Sequence, residues 1–261
     1  MKRWTRAAAC CAAMLASAAY AALPDEIQVY TGDINKPAEW GFEVHVNTTP
    51  SGRKEPDFPG EIVPHHAWRV TPEISYGVTP TIDVGVYLPF VFAPGGTQKF
   101  SGPKLRAKWL PIQVPEGGAG MFAGVNIEYA WIDSSLEEVT RVFEVRPIIG
   151  WEDERWLVAF NPIMEFAQEG PTKNHSPEFN PALKIGRKLQ EGIMAGIEYY
   201  GELGALNNFE SHSEQSHTLY LALDVERGPV NFNFGIGRGM SGTAADKWTV
   251  KAIFEIPLGG K

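Results

Sequence analysis

Cysteine is nearly absent from this 261-residue chain, and the two present, Cys10-Cys11, both lie in its first apolar run. Lys2-Arg3 and Arg6 precede that run, and Ala19-Tyr20-Ala21 follows it with the small-x-small pattern at which signal peptidase cleaves. We therefore expect residues 1–21 to be a secretory signal peptide. The exported chain would contain no cysteine, which excludes a disulfide framework.

Long apolar runs are also missing. After residue 21 no stretch reaches the ~20 apolar residues of a membrane-spanning helix, and the mean hydropathy is −0.18. This excludes a helical membrane protein. It does not exclude a membrane barrel, because barrel strands alternate apolar and polar residues and average to a near-neutral hydropathy.

Basic residues are outnumbered, with 23 Lys and Arg against 31 Asp and Glu and a formal charge of −8. Removing the signal peptide would make the chain more acidic still. This argues against nucleic acid as a partner. The sequence also lacks a phosphate-binding glycine loop, so we expect no nucleotide cofactor. We expect no cofactor of any other class either.

Period-two alternation is what the sequence does contain. From residue 40, Trp40, Phe42, Val44 and Val46 alternate with small or polar residues, and similar segments recur as far as Ile256. About twelve such segments of ~9–12 residues can be counted, the length of a tilted transmembrane strand. A periplasmic β-sandwich would alternate in the same way, with its apolar face turned inward.

The links between these segments favour the barrel, because short and long links alternate as in outer-membrane barrels. The link at Pro111 to Gly118 is longer than the other short ones. The short links are Val78-Thr79-Pro80, Glu152-Asp153-Glu154, Gln190-Glu191 and Arg227-Gly228-Pro229, and the long ones run from about Thr48 to His66, Phe92 to Pro103, Gly204 to Gln215 and Arg238 to Ala245.

We therefore predict an all-β protein with an antiparallel, up-and-down transmembrane β-barrel of about 12 strands over residues 40–257. Residues 22–39 would form an N-terminal periplasmic segment and residues 258–261 a C-terminal tail. An even number of strands places both chain ends in the periplasm and the barrel in the outer membrane, with lipid as its partner.

Tryptophan positions support this orientation, because they fall at or near predicted strand ends, where aromatic girdles meet the membrane–water interface. They are Trp40, Trp68, Trp109, Trp131, Trp151, Trp156 and Trp248.

Five prolines lie within predicted strands, and we expect a bulge or a strand end at each because proline removes a ladder donor. They are Pro72, Pro89, Pro147, Pro162 and Pro181.

Three stretches carry a resemblance to a known family: Tyr76 to Phe90, Gly102 to Trp109, and Glu198-Tyr199-Tyr200-Gly201-Glu202. They resemble the hairpin, the following strand and a later strand of the outer-membrane transporter barrels grouped with the meta-pathway of phenol degradation. The resemblance implies a small barrel that takes up hydrophobic compounds. It implies no particular functional residues.

Charged residues on the predicted polar face are the candidate lumen-lining groups. They are Asp83, Lys104, Arg106, Lys108, Glu128 and Arg146. A charged strip could bias permeating ions or gate the pore. The alternative, which we favour, is cross-strand ion pairing that fills and stabilises a narrow barrel.

Histidine and serine in the long links suggest no metal or catalytic site. His65-His66 and His212 to His217 lack matching carboxylate or cysteine spacing, so we interpret them as solvated loop residues. His175-Ser176 and Ser211-His212-Ser213 lack the third member of a catalytic triad.

The function predicted from sequence is a narrow channel for small solutes, hydrophobic ones if the resemblance holds. The alternatives are a non-conducting structural or interaction barrel and, third, an outer-membrane lipid-modifying enzyme.

Overall fold

The computed structural model describes residues 25–115, 117–228, 230–241 and 246–258. The predicted signal peptide, and the tail beyond residue 258, lie outside these ranges. The described strands are β1 (Trp40–Ser51), β2 (Trp68–Thr79), β3 (Ile82–Tyr87), β4 (Phe90–Ala93), β5 (Thr97–Phe100), β6 (Lys104–Ile112), β7 (Gly120–Trp131), β8 (Arg141–Glu152), β9 (Trp156–Ala167), β10 (Glu178–Gln190), β11 (Ile193–Glu202), β12 (Gly204–Ala205), β13 (Asn208–Phe209), β14 (Ser216–Glu226), β15 (Asn231–Gly239) and β16 (Trp248–Pro257).

The sheet closes on itself, because β1 pairs with both β2 and β16. Twelve of the described strands form the wall, each antiparallel to its neighbours, and the prediction of an antiparallel 12-stranded barrel is confirmed. The wall strands are β1, β2, β3, β6, β7, β8, β9, β10, β11, β14, β15 and β16. Closure gives every wall strand two partners and leaves no open edge. Among the described residues, no helix is long and apolar enough to cross a membrane.

The alternation turns the apolar side chains outward. Leu221 at the middle of β14 is 72% exposed, whereas Lys251 on the inner face of β16 is 1% exposed. Ile127 is likewise exposed between the buried Asn126 and Glu128. A water-soluble β-sandwich would bury its apolar face, so this arrangement excludes the sandwich alternative.

Short and long links fall at opposite ends of the barrel. We call these the turn end and the loop end. The turn-end links are 80–81, 113–119, 153–155, 191–192 and 227–230, and the loop-end links are 52–67, 88–103, 132–140, 168–177, 203–215 and 240–247. Two hairpins, β4–β5 and β12–β13, extend the wall at the loop end. The barrel begins and ends at the turn end, where Gly41 pairs with Pro257.

The prolines correct one prediction. Pro72 lies opposite Val44, and Pro162 lies opposite Pro181, without a register shift. Pro147 is also inside an unshifted strand, and only Pro89 lies between strands, in the gap from β3 to β4. Each proline removes a single donor and the register is kept: the β8–β9 ladder is interrupted between Val145 and Ile149, around Pro147, and resumes there without a shift. The bulges occur elsewhere, for example between Trp109 and Ile112.

The N-terminal segment requires a second correction. Its described part is residues 25–39. Residues 26–35 contact the inner wall from within the lumen instead of extending beyond the end of the barrel, and Ile27, Val29 and Tyr30 are buried. The inner wall is largely polar and encloses a lumen, so an extended segment inside it can form hydrogen bonds and ion pairs with the surrounding wall. We call residues 25–38 the plug.

An outward charge at mid-strand tests the orientation of the wall. In phospholipid bilayers we expect Leu221→Arg to lower the free energy of unfolding by about 2–4 kcal/mol, because the guanidinium would lie at the bilayer midplane. Leu206→Arg, in the exposed link between β12 and β13, is the control and should change it by no more than about 0.5 kcal/mol. Equal effects in a denaturant titration would contradict the orientation.

Candidate functional site

The plug leaves the lumen at the turn end through contacts with β2 and β3. Ala38 donates its N–H to the Gly77 carbonyl at 2.8 Å, and Gly77 donates to the Glu39 carbonyl at 2.9 Å. A side chain could not be accommodated at Gly77, where a Cβ would lie 2.0 Å from the Lys36 carbonyl oxygen. Asn35 donates from Nδ2 to Ser75 Oγ at 2.9 Å. The chain then turns into β1.

Tyr30 fixes the middle of the plug to opposite parts of the wall. The Tyr30 N–H donates to Asn161 Oδ1 at 2.7 Å, and Asn161 Nδ2 donates to the Tyr30 carbonyl at 3.1 Å. The amide side chain thus replaces the strand partner that this backbone lacks. The Tyr30 hydroxyl lies 2.6 Å from the Tyr87 hydroxyl and donates to Glu128 Oε1 at 3.2 Å.

An apolar patch on the inner wall packs against the plug. Val29 and Tyr30 form one buried cluster with six residues of β6 to β9 and one of β10. Those wall residues are Leu110, Phe122, Ile148, Leu157, Ala159, Ile163 and Ala182. They occupy inward positions, which elsewhere in the barrel are largely polar. Sequence reasoning missed them, although apolar residues on an otherwise polar face are a signal that something apolar lies inside.

Ion pairs anchor the beginning of the plug. Glu26 lies 2.9 Å from Lys104 Nζ and 3.6 Å from Arg146 Nη1. Lys251 Nζ donates to the Ile27 carbonyl at 2.9 Å and pairs with Glu198 at 2.5 Å. Buried charges are stable only when paired and hydrogen-bonded. The plug therefore supplies partners that stabilise Lys104, Arg146 and Lys251 in the barrel interior, and these side chains in turn hold the plug in place.

The six candidate residues all lie on the inner wall, and five of them take part in ion pairs. Arg106 pairs with Asp83 and, at 2.5 Å, with Glu73. Lys104 pairs with Glu128 at 3.0 Å, and Arg146 Nε with Glu144 at 2.8 Å. Lys108 donates to the plug carbonyl of Asp33 at 2.8 Å. These residues form a paired network around the plug and not an open charged strip.

Two cavities remain beside the plug. The cavity at the loop end holds about 720 Å³ and the one at the turn end about 510 Å³. Gln28 borders both of them. The loop-end cavity has apolar walls, including Ile132, Leu136 and Val142, together with several glutamates. One of these, Glu210, lies outside the strands, and burial together with the nearby Glu178 raises its pKa to about 7.

The loop histidines and serines form no reactive arrangement in the part of the chain that the structure describes. The rings of His65 and His66 lie in contact, with centres 4.0 Å apart and their planes tilted by 30°. Ser211 Oγ donates to Glu214 at 2.6 Å and lies 3.1 Å from Ser213 Oγ. A different histidine, His45 on β1, lies next to Glu43 and Glu73 and was not considered from the sequence.

The network predicts a large effect of removing the Lys251 charge. Lys251→Met leaves the Ile27 carbonyl unpaired and deprives buried Glu198 of one of its two cations, so we expect a loss of about 3–5 kcal/mol in the free energy of unfolding. Lys247→Met removes an exposed lysine next to β16 and should change it by about 0.5 kcal/mol or less. Similar denaturant midpoints for the two variants would contradict the network.

Comparisons with known proteins identify the fold. No protein-family model matches the chain, and a search of curated proteins found no match. Among solved structures, an outer-membrane channel from Pseudomonas putida F1 matches with TM-score 0.64 and 11% identity, over 89% of this chain and 100% of the other. The KdgM porin matches with TM-score 0.52 and 8% identity, over 84% and 99%. At these identities the similarity shows a shared fold, that of outer-membrane β-barrels.

Proposed function

We propose that the protein is an outer-membrane channel whose own N-terminal segment closes its lumen, and that displacement of this plug opens a path for small solutes. The location of the two cavities carries this proposal. They lie on either side of the plug around Gln28, so a shift of a few residues would join them into one passage.

The outer surface supports the location in the outer membrane. Tryptophans 37–52% exposed occur at or near strand ends at both ends of the wall, as aromatic girdles do. Trp40, Trp109, Trp151 and Trp156 lie towards the turn end, and Trp68, Trp131 and Trp248 towards the loop end. In this orientation the turn end, with both barrel termini, faces the periplasm, and the long links face outward.

The loop-end cavity indicates the kind of solute. Its apolar wall would accept a hydrophobic body, as the family resemblance implies, while its glutamates disfavour anions. The two similar structures support a channel as well, since one is an outer-membrane channel and the other a porin, which has also been solved in complex with disordered oligogalacturonate. We propose small, uncharged or cationic hydrophobic solutes as the cargo.

A non-conducting barrel is the second candidate, and the buried ion-pair network favours it. A plug held by Lys104, Arg146 and Lys251 could serve permanently as a core. The two functions differ in one respect: a channel must conduct when the plug is removed, and a structural barrel with a filled lumen has no need to.

Conductance in planar bilayers tests the proposal. We expect the full protein to be mostly closed, and a variant lacking residues 25–34 to show a steady open conductance. Glu26→Gln should raise the open probability, because it weakens the pairing with Lys104 and Arg146. Glu39→Gln neutralises a partly exposed carboxylate immediately before β1, away from Lys104 and Arg146, and should behave as the unmodified protein does.

Folding of each variant is verified by heat-modifiable gel mobility. A deletion variant that is folded and inserted but electrically silent would refute the channel and leave the structural barrel. Equal open probability for Glu26→Gln and Glu39→Gln would show that the ion pairs do not hold the plug closed.

A further inference from the structure

Strands β1 and β2 bring a histidine and two carboxylates together on the inner wall. Glu43 and Glu73 are direct cross-strand partners, and His45 follows two residues after Glu43 on the same face. His45 Nε2 lies 3.6 Å from Glu43 Oε2 and 3.8 Å from Glu73 Oε2. The three potential ligand atoms are all within 4.8 Å of one another.

The imidazole of His45 has no hydrogen-bond partner. The residue is fully buried, and neither Nδ1 nor Nε2 is bonded within the described part of the chain. Buried polar groups of native proteins are almost always satisfied. The ring therefore points at two carboxylate oxygens that lie too far for hydrogen bonds but at a separation suited to a shared ion.

The charge around His45 is negative. Glu43 lies opposite Glu73 on one side and Glu255 on the other, so three carboxylates stand in a row across β2, β1 and β16. Like charges directly opposite each other are destabilising. Arg106 pairs with Glu73, but the same guanidinium also pairs with Asp83, so its positive charge is shared between two carboxylates. This row therefore has an excess of negative charge that a cation would offset.

We propose that Glu43, His45 and Glu73 bind a divalent transition-metal ion of the Zn²⁺ type. Zinc bonds of ~2.0–2.2 Å to imidazole nitrogen and carboxylate oxygen in a tetrahedral site put ligand atoms about 3.4 Å apart. The observed 3.6 and 3.8 Å from His45 Nε2 need only a small adjustment. The two carboxylate oxygens, within 4.8 Å of each other, would move closer by side-chain rotation when the ion binds. Imidazole as a ligand disfavours Mg²⁺ and Ca²⁺, which bind oxygen.

The surroundings fit a metal site with an open position. Arg106 contacts Glu73 through Oε1, which leaves Oε2 for the ion and fixes the carboxylate orientation. Glu43 and Glu255 both border the turn-end cavity. A fourth ligand, water or a solute group, would reach the ion from that cavity.

Metal binding is tested with the untagged full protein, purified in detergent, treated with chelator and dialysed against Zn²⁺. We expect about one ion per chain by elemental analysis. Co²⁺ in place of Zn²⁺ should give the visible absorption of a four-coordinate site. Removal of a direct ligand should weaken affinity by more than the ~10–100-fold typical of outer-shell changes. His45→Gln and Glu43→Gln should both show this loss.

The matched control is the double variant His65→Gln, His66→Gln, which removes two loop histidines and should bind as the unmodified protein does. Heat-modifiable mobility verifies folding, and Glu43→Gln, at a partly exposed position, provides a second test if His45→Gln does not fold. Failure of the unmodified protein to bind Zn²⁺ would overturn the proposal, leaving a protonated His45 between the carboxylates. Loss of binding in the loop variant alone would also overturn it.

Discussion

The carboxylate of Glu26 lies between Lys104 and Arg146 in the interior of the barrel, and the arrangement of the lumen depends on this contact. In a barrel with an apolar exterior, the charged side chains of the strands point into the lumen. Those charges must pair with each other or with something inserted among them, because burial makes an unpaired charge costly. The plug supplies the inserted partner: Glu26 offers a carboxylate, and Ile27 and Asp33 offer backbone carbonyls to lysines of the wall.

Much of the fold could be predicted from sequence because it is local. Alternation between neighbouring residues determines which face of a strand is apolar, and it correctly predicted that residues such as Leu221 face outward. The number of alternating segments predicted the strand count, and the alternation of link lengths favoured the barrel. The prolines were misinterpreted because a single missing donor is tolerated in a wall held on both sides. Pro162 lies opposite Pro181 without a bulge.

The plug and the metal cluster could not be predicted, because both depend on contacts between residues far apart in sequence. Residues 25–38 have no alternation long enough to predict a strand, and their partners lie far along the chain, from Ser75 for Asn35 to Asn161 for Tyr30. The apolar residues Leu110, Phe122 and Ile148 at inward positions were the available clue. His45 fitted the polar face of its strand, and only the register of β1 against β2 places it beside Glu73.

The proposed metal site and the plug are connected through shared side chains. Glu73 pairs with Arg106, Arg106 with Asp83, and Asp83 accepts the backbone N–H of Asn35 in the plug at 3.3 Å. An ion at His45 would therefore hold in place the wall from which the plug exits. This relation would give the ion a structural role in the barrel without requiring that it take part in transport.

A closed lumen requires the plug to lie inside the barrel, and hydrogen exchange tests this location directly. In the folded protein, a peptide covering residues 25–31 should exchange slowly, because the segment is buried and the amide of Tyr30 is bonded to Asn161. Exchange at a rate comparable with that of the wall strands is the expected result. Complete exchange within seconds, as for a free tail outside the barrel, would contradict the closed lumen on which the proposed gating rests.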